Sequence, residues 1–120
     1  MQYMILDEAK SEAYDKISQE FRRGILILAA LSQLKDQKYG YALISQLVAN
    51  GLEIDQGTLY PLLRRLETQG LLDSNWNTEG SRPRRYYVIN ATGEAVLQAL
   101  VQDWRALVGV MEHLLVEQER

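Results

Sequence analysis

Between Leu52 and Ile89 the chain reads LEIDQGTLYPLLRRLETQGLLDSNWNTEGSRPRRYYVI, and no other stretch narrows its fold as far. Leu59, Leu62, Leu63 and Leu66 fall at helical steps of three and four, which marks the buried side of an amphipathic helix over about Gln56–Gln69. Its opposite side presents Gly57, Pro61, Arg64 and Thr68, flanked by Thr58, Tyr60 and Arg65. Asp55 can cap the start, and Gly70 can end the helix in a left-handed backbone. Pro61 has no N–H to donate back to Gly57, so either the helix starts at Gln56 with a bent or tightened turn, or its regular part starts nearer Thr58. Two short strands follow, Leu71–Trp76 and Arg84–Ile89, joined by a segment of turn composition that carries Arg82.

An amphipathic helix followed by a basic hairpin is the layout of a winged helix-turn-helix, in which one helix lies in a DNA major groove and the hairpin tip reaches the neighbouring backbone. The expected fold is mainly α with a small β-hairpin. Residues 1–90 form the reading unit with its N-terminal helix extension, and residues 91–120 form a C-terminal dimerisation helix. Upstream, Tyr14, Ile17, Phe21, Ile25 and Leu28 recur on one face of a first helix that begins near Ser11 or Ser18 and ends near Leu34. Lys35–Lys38 breaks the pattern, and a shorter helix over Gly40–Ala49 stops at Asn50-Gly51.

The charge is unevenly spread. The net charge of -3 argues against a protein that coats nucleic acid by bulk charge. Acid collects at the two ends, however, while Arg64, Arg65, Arg82, Arg84 and Arg85 sit mid-chain against only Glu67, Asp73 and Glu79. The field at a binding face is set locally. The absence of cysteine excludes disulfides and thiolate metal sites and fits a reducing compartment. The N-terminal MQYMILDEAKSE is acidic early and lacks the long apolar core of a signal peptide. The longest apolar run, Ile25–Leu31, is far short of the ~20 residues that cross a bilayer. A cytoplasmic protein without membrane contact is expected.

The last helix, from Asn90 as its cap to about Glu117, carries a second signal. Leu97, Leu100, Trp104, Leu107, Met111 and Leu114 keep a step of three and four, and Val101, Val108 and Leu115 widen the stripe. Three helices and a hairpin already fill a small winged core, so this face needs another surface. A second copy of the chain is the economical one; folding back on its own domain is the alternative. Trp104, mid-stripe, is either plain packing or the wall of an apolar ligand pocket.

As candidate base readers the helix offers Gln56, Thr58, Tyr60 and Arg64. Glutamine can pair with adenine, and arginine can reach a guanine edge or a phosphate. Arg82, Arg84 and Arg85 are clustered at a turn, repel one another without an anionic partner, and are assigned to the phosphate backbone; Tyr39 and Arg65 are assigned there with them. The bland readings are a solvated helix face, a solubilising turn, or pairing with Glu79. Trp76 and Tyr87 are read as hairpin core. Catalysis finds no support: His113 is the only histidine, there is no nucleophile–base pair, and no metal-binding motif or phosphate-cradling glycine loop is present. No cofactor is expected. A winged adaptor whose basic hairpin meets an acidic protein, without reading DNA, is the rival function.

Tyr39-Gly40-Tyr41, the string GTLYPLLRRLE from Gly57 to Glu67, Gly70-Leu71-Leu72, Arg84-Arg85-Tyr86-Tyr87 and Gly93 together resemble the PadR-like transcriptional regulators, over roughly Phe21–Leu100. The resemblance implies a dimeric winged helix-turn-helix in which the C-terminal helix packs against the partner's N-terminal helix. That adds Phe21 to a seam made of Leu97, Leu100, Trp104, Leu107, Val108, Met111 and Leu115. The partners implied are a palindromic operator in double-stranded DNA, a second copy of the chain, and a small aromatic effector. Members of the family are mostly repressors, some released by phenolic acids or hydrophobic drugs, and in multidrug-binding members a tryptophan on the last helix lines a pore where Trp104 falls. Two departures stand out: Ile89-Asn90 replaces the usual Leu-Thr pair, and Val88 replaces a frequent basic residue.

Overall fold

In the computed structural model, residues 7–118 are described. The segment 1–6, part of the N-terminus read above as unlike a signal peptide, lies outside the described residues, as do residues 119–120. Helix α1 spans Glu8–Ser32 and starts earlier than either serine, because the Asp7 carboxylate caps it by accepting from Lys10 N–H at 2.9 Å. Only its second half enters the core, through Leu26, Ala30 and Leu31. Leu34 lies past the helix end yet is fully buried, and its carbonyl accepts from Ile89 N–H at 2.8 Å.

The strand β1, Lys38–Tyr39, is absent from the sequence reading. It is two residues long and pairs antiparallel with Tyr86 and Tyr87, too short for any alternation to show. Helix α2 (Gly40–Ala49) ends as expected at Gly51, whose φ is +93°. Helix α3 spans Gln56–Thr68, so regular structure begins at Gln56 despite Pro61. Asp55 caps it, its carboxylate accepting from Thr58 N–H at 2.8 Å.

Strands β2 (Leu72–Asn77) and β3 (Arg84–Ile89) form the hairpin, and β3 is the middle strand of the sheet. β2 starts one residue later than expected. Leu71 N–H is already spent on Leu66 O at 3.0 Å, and Gly70 N–H bonds Glu67 O, a Schellman ending that claims both residues for the end of α3. Helix α4 (Ala91–Gln118) is capped by Asn90, whose side-chain oxygen accepts from Gly93 N–H at 2.9 Å.

The core is a leucine cluster shared by all four helices and closed by Tyr87 and Ile89 of β3. Two expectations fail here. Trp76 is 61% exposed, whereas Tyr87 is buried as expected. Leu72 and Ile89 lie over the core, but by the Trp76–Arg85 pair the hairpin has run past it. Leu97, expected at the dimer seam, is only 6% exposed and belongs to the chain's own core, with Leu100 and Val101 packed against it. The root of α4 does fold onto its own domain. From Trp104 onward the helix is exposed.

Candidate nucleic-acid interface

The solvent face of α3 carries Gln56, Gly57, Thr58, Pro61, Arg64 and Arg65, all exposed. Leu59, Leu62, Leu63 and Leu66 anchor the opposite face, so this array is held rigidly by the core. The turn into α3 is also tied from outside: the Arg22 guanidinium donates to Glu53 O at 2.6 Å. No local motif marks that contact. Capping has an electrostatic consequence, since the hydroxyl and N–H of Thr58 hold the Asp55 carboxyl below its usual range.

Tyr60 differs from the other reader candidates. It is half-buried, and its ring lies over Gly40: a Cβ at that glycine would stand 2.3 Å from Cε1. The phenol is thereby wedged between α2 and α3. The glycine of Tyr39-Gly40-Tyr41 is there to admit this ring.

The three hairpin arginines part company. Arg82 and Arg84 are exposed, and Arg84 lies 4.7 Å over the Tyr39 ring, which in turn stands edge-on to Tyr86 at 5.6 Å. Tyr39 is half-buried in that stack. Arg85 points to the other side of the strand. There its guanidinium pairs with Glu67 of α3 at 2.8 Å and its Nε donates to Ser74 Oγ at 3.0 Å, while the Ser74 hydroxyl donates to the other Glu67 oxygen. This is the only ion pair among the described residues. The anionic partner that Arg85 needs is thus supplied by α3, not by Glu79, and Arg85 braces the hairpin instead of presenting a free charge.

An open cleft of about 410 Å³ is lined by Tyr60 and Arg64 of α3 and by Trp76, Arg84, Arg85 and Tyr87 of the hairpin. Burial pushes the Tyr87 phenol up from its ordinary value, while the nearby Arg85 and Arg64 guanidiniums act in the opposite direction. The sequence did not mark Trp76 as part of this surface.

A second exposed surface is apolar. On α1, Ile17 and Phe21 are 63% and 74% exposed; on α4, Trp104, Leu107, Val108, Met111 and Leu115 are exposed too. No helix among the described residues is long and apolar enough to cross a membrane.

Three helices, a three-stranded antiparallel sheet with a basic hairpin, and a long C-terminal helix define a winged helix-turn-helix protein of the transcription-regulator class. The family model described as the transcriptional regulator PadR-like family matches residues 27–99, and the chain belongs to that family. It is 37% identical over 97 residues to Transcriptional regulator Rv3488 of Mycobacterium tuberculosis, an alignment covering 80% of this chain and 88% of that protein. The crystal structure of a PadR family transcriptional regulator from Eggerthella lenta superposes with a TM-score of 0.81 at 43% identity, over 89% of this chain and 96% of that one. A PadR-like transcription factor from Bacteroides fragilis gives a TM-score of 0.71 at 32% identity, over 82% and 98% of the two chains. The protein is therefore a transcriptional regulator, not an enzyme.

Proposed function

We propose that the protein is a homodimeric repressor, acting in the cytoplasm, that binds a palindromic operator in double-stranded DNA. The observation that carries this reading is an exposed polar face on α3, with Gln56, Thr58 and Arg64, beside a hairpin whose Arg82 and Arg84 are also exposed, Arg64 and Arg84 lining one cleft. Two copies of α3 enter successive major grooves about 34 Å apart. Gln56, Thr58 and Arg64 read base edges, with the outer edge of Tyr60; Arg65, Arg82, Arg84 and Tyr39 hold the backbone. Arg85 acts through its brace. Residues 1–90 do the reading, and the distal part of 91–120 pairs the subunits through Trp104, Leu107, Val108, Met111 and Leu115 against Phe21 and Ile17 of the partner. The exposure of both faces supports that pairing, since apolar stripes this wide are otherwise covered.

The test is a mobility-shift titration of the purified protein against its own promoter region and a random duplex, at several salt concentrations. Operator-selective binding with a steep salt slope is expected. Indifference to duplex at low ionic strength would falsify the reading, and capture of an acidic protein instead would favour the adaptor.

Release by a small aromatic effector is a further part of this proposal, supported by the position of Trp104 on the exposed face of α4. A ligand that binds at the seam and prefers one spacing of the two reading helices must change operator affinity, and the operator must change ligand affinity equally. In a Trp76→Phe background, a panel of planar aromatics should give saturable quenching of Trp104. A flat response across the panel removes the effector from this account.

A further inference from the structure

Trp76 is the exposed aromatic of the hairpin, and the proposed DNA contacts give it no task. It is 61% open to solvent, yet its ring is held: it stands across the hairpin from Arg85, whose guanidinium lies 5.7 Å from the ring centroid. Arg85 is itself fixed by Glu67 and Ser74. The indole therefore rests beside a charged brace while most of its surface stays open to solvent. So large an apolar ring left in water does nothing for the chain's own core.

Its surroundings suggest what covers it. The cleft that Trp76 lines is bordered by Arg64 of α3 and Arg84 of the hairpin. When a helix occupies the major groove and a hairpin reaches the adjacent minor groove, the strand dividing the two grooves must pass between them. That strand offers alternating phosphates and deoxyribose rings; the phosphates suit Arg84, and the C–H face of a sugar suits an indole. The cleft is large enough for a small ligand, but it is open to solvent, which suits a chain running through it better than an enclosed molecule.

Building on the DNA-binding reading, we propose that this cleft seats one sugar–phosphate segment of the operator backbone and that the Trp76 indole packs on its deoxyribose. The contact carries no base information and no charge. It therefore strengthens binding to every duplex alike and leaves the salt dependence untouched.

The experiment compares the full chain with Trp76→Ala, Trp76→Phe and Arg84→Ala, each titrated with the promoter duplex and a random duplex over a salt series. Trp76→Ala should weaken both duplexes by about tenfold, the order expected of an interfacial tryptophan, with the slope of log K against log salt unchanged. Trp76→Phe should recover most of the loss, and Arg84→Ala should lower the slope. Three results overturn the proposal: no loss in Trp76→Ala, a loss confined to the promoter duplex, or a slope change matching that of Arg84→Ala. In a Trp104→Phe background, a free deoxynucleoside monophosphate that protects Trp76 from quenching by acrylamide, where duplex does not, overturns it as well. Wild-type protein that binds neither duplex instead defeats the DNA reading beneath it, a result visible before any variant is made.

Discussion

Glu67 and Arg85, one on the last turn of α3 and one on the central strand, meet at 2.8 Å and join the two elements that face the proposed ligand. The pair is partly exposed, so it adds little to stability. Its effect is positional: it sets the hairpin at a fixed distance from the helix and neutralises one arginine of an adjacent pair. Arg84→Ala should therefore flatten the salt slope of duplex binding by about 0.9, one phosphate contact, whereas Arg85→Ala should lower affinity with the slope nearly unchanged. Filter-binding isotherms over a salt series measure both. Identical slopes for the two variants would contradict the division.

The exposed stripe from Trp104 to Leu115 makes a prediction about assembly. Leu107, 59% exposed, can become aspartate without disturbing the chain's own core. Leu107→Asp should sediment as a monomer with wild-type circular dichroism, and its operator affinity should fall toward the non-specific level, about 10³-fold or more. A Leu107→Asp protein that remains dimeric would place the seam elsewhere.

The junction between β3 and α4 should be sensitive in a graded way. Asn90 caps α4 through Gly93 N–H and also donates to Gly70 O at 3.0 Å. Asn90→Ala should cost about 1 kcal/mol or somewhat more in urea unfolding, and Asn90→Thr should retain most of the cap. Gly93→Ala is harsher. A Cβ there would stand 2.1 Å from Leu71 O, a backbone atom that cannot swing aside, so a loss of about 3 kcal/mol, the upper end of overpacking costs, is expected.

Two groups are shifted in opposite directions by the fold and bear on stability at the two ends of the pH range. Asp55 is depressed in the folded state, so its contribution is present above the unfolded carboxylate value and is lost as pH falls through the lower folded one. Tyr87 is raised, so its contribution is present below the ordinary phenol value of 10.0 and is lost as pH climbs through the higher folded one. Thermal melts should weaken at both ends; Asp55→Asn, which keeps a capping oxygen, should flatten the acid limb, and Tyr87→Phe the alkaline one. An acid limb unaltered in Asp55→Asn would show that other carboxyls dominate it.

Most of the architecture was legible because it rests on local chemistry. The leucines of α3 keep a helical period, Asp55 and Asn90 have capping side chains, and Gly51 and Gly70 supply the left-handed backbone that ends α2 and α3. What escaped depends on where distant segments meet. Nothing near Lys38 announces that its partner is Tyr87. The stripe on α4 runs unbroken past Leu97, so its period could not say at which residue the core stops. Arg84 and Arg85 looked equivalent in a turn, although strand alternation alone puts Arg85 on the side of Tyr87 and Ile89 and Arg84 on the other. Residue type alone points Trp76 inward; the reach of the hairpin beyond Ser74 turns it out to solvent.

Helix α4 runs without a break from the Asn90 cap to Gln118, a rod of about 42 Å at 1.5 Å per residue. One end is bolted to the reading unit through Leu97 and Gly93 and the other stands free of it. In such a lever a tilt of only about 5° at the root sweeps the tip through roughly 3.5 Å over that length. Whatever grips the distal turns therefore holds a mechanical advantage over the angle of everything attached at the root.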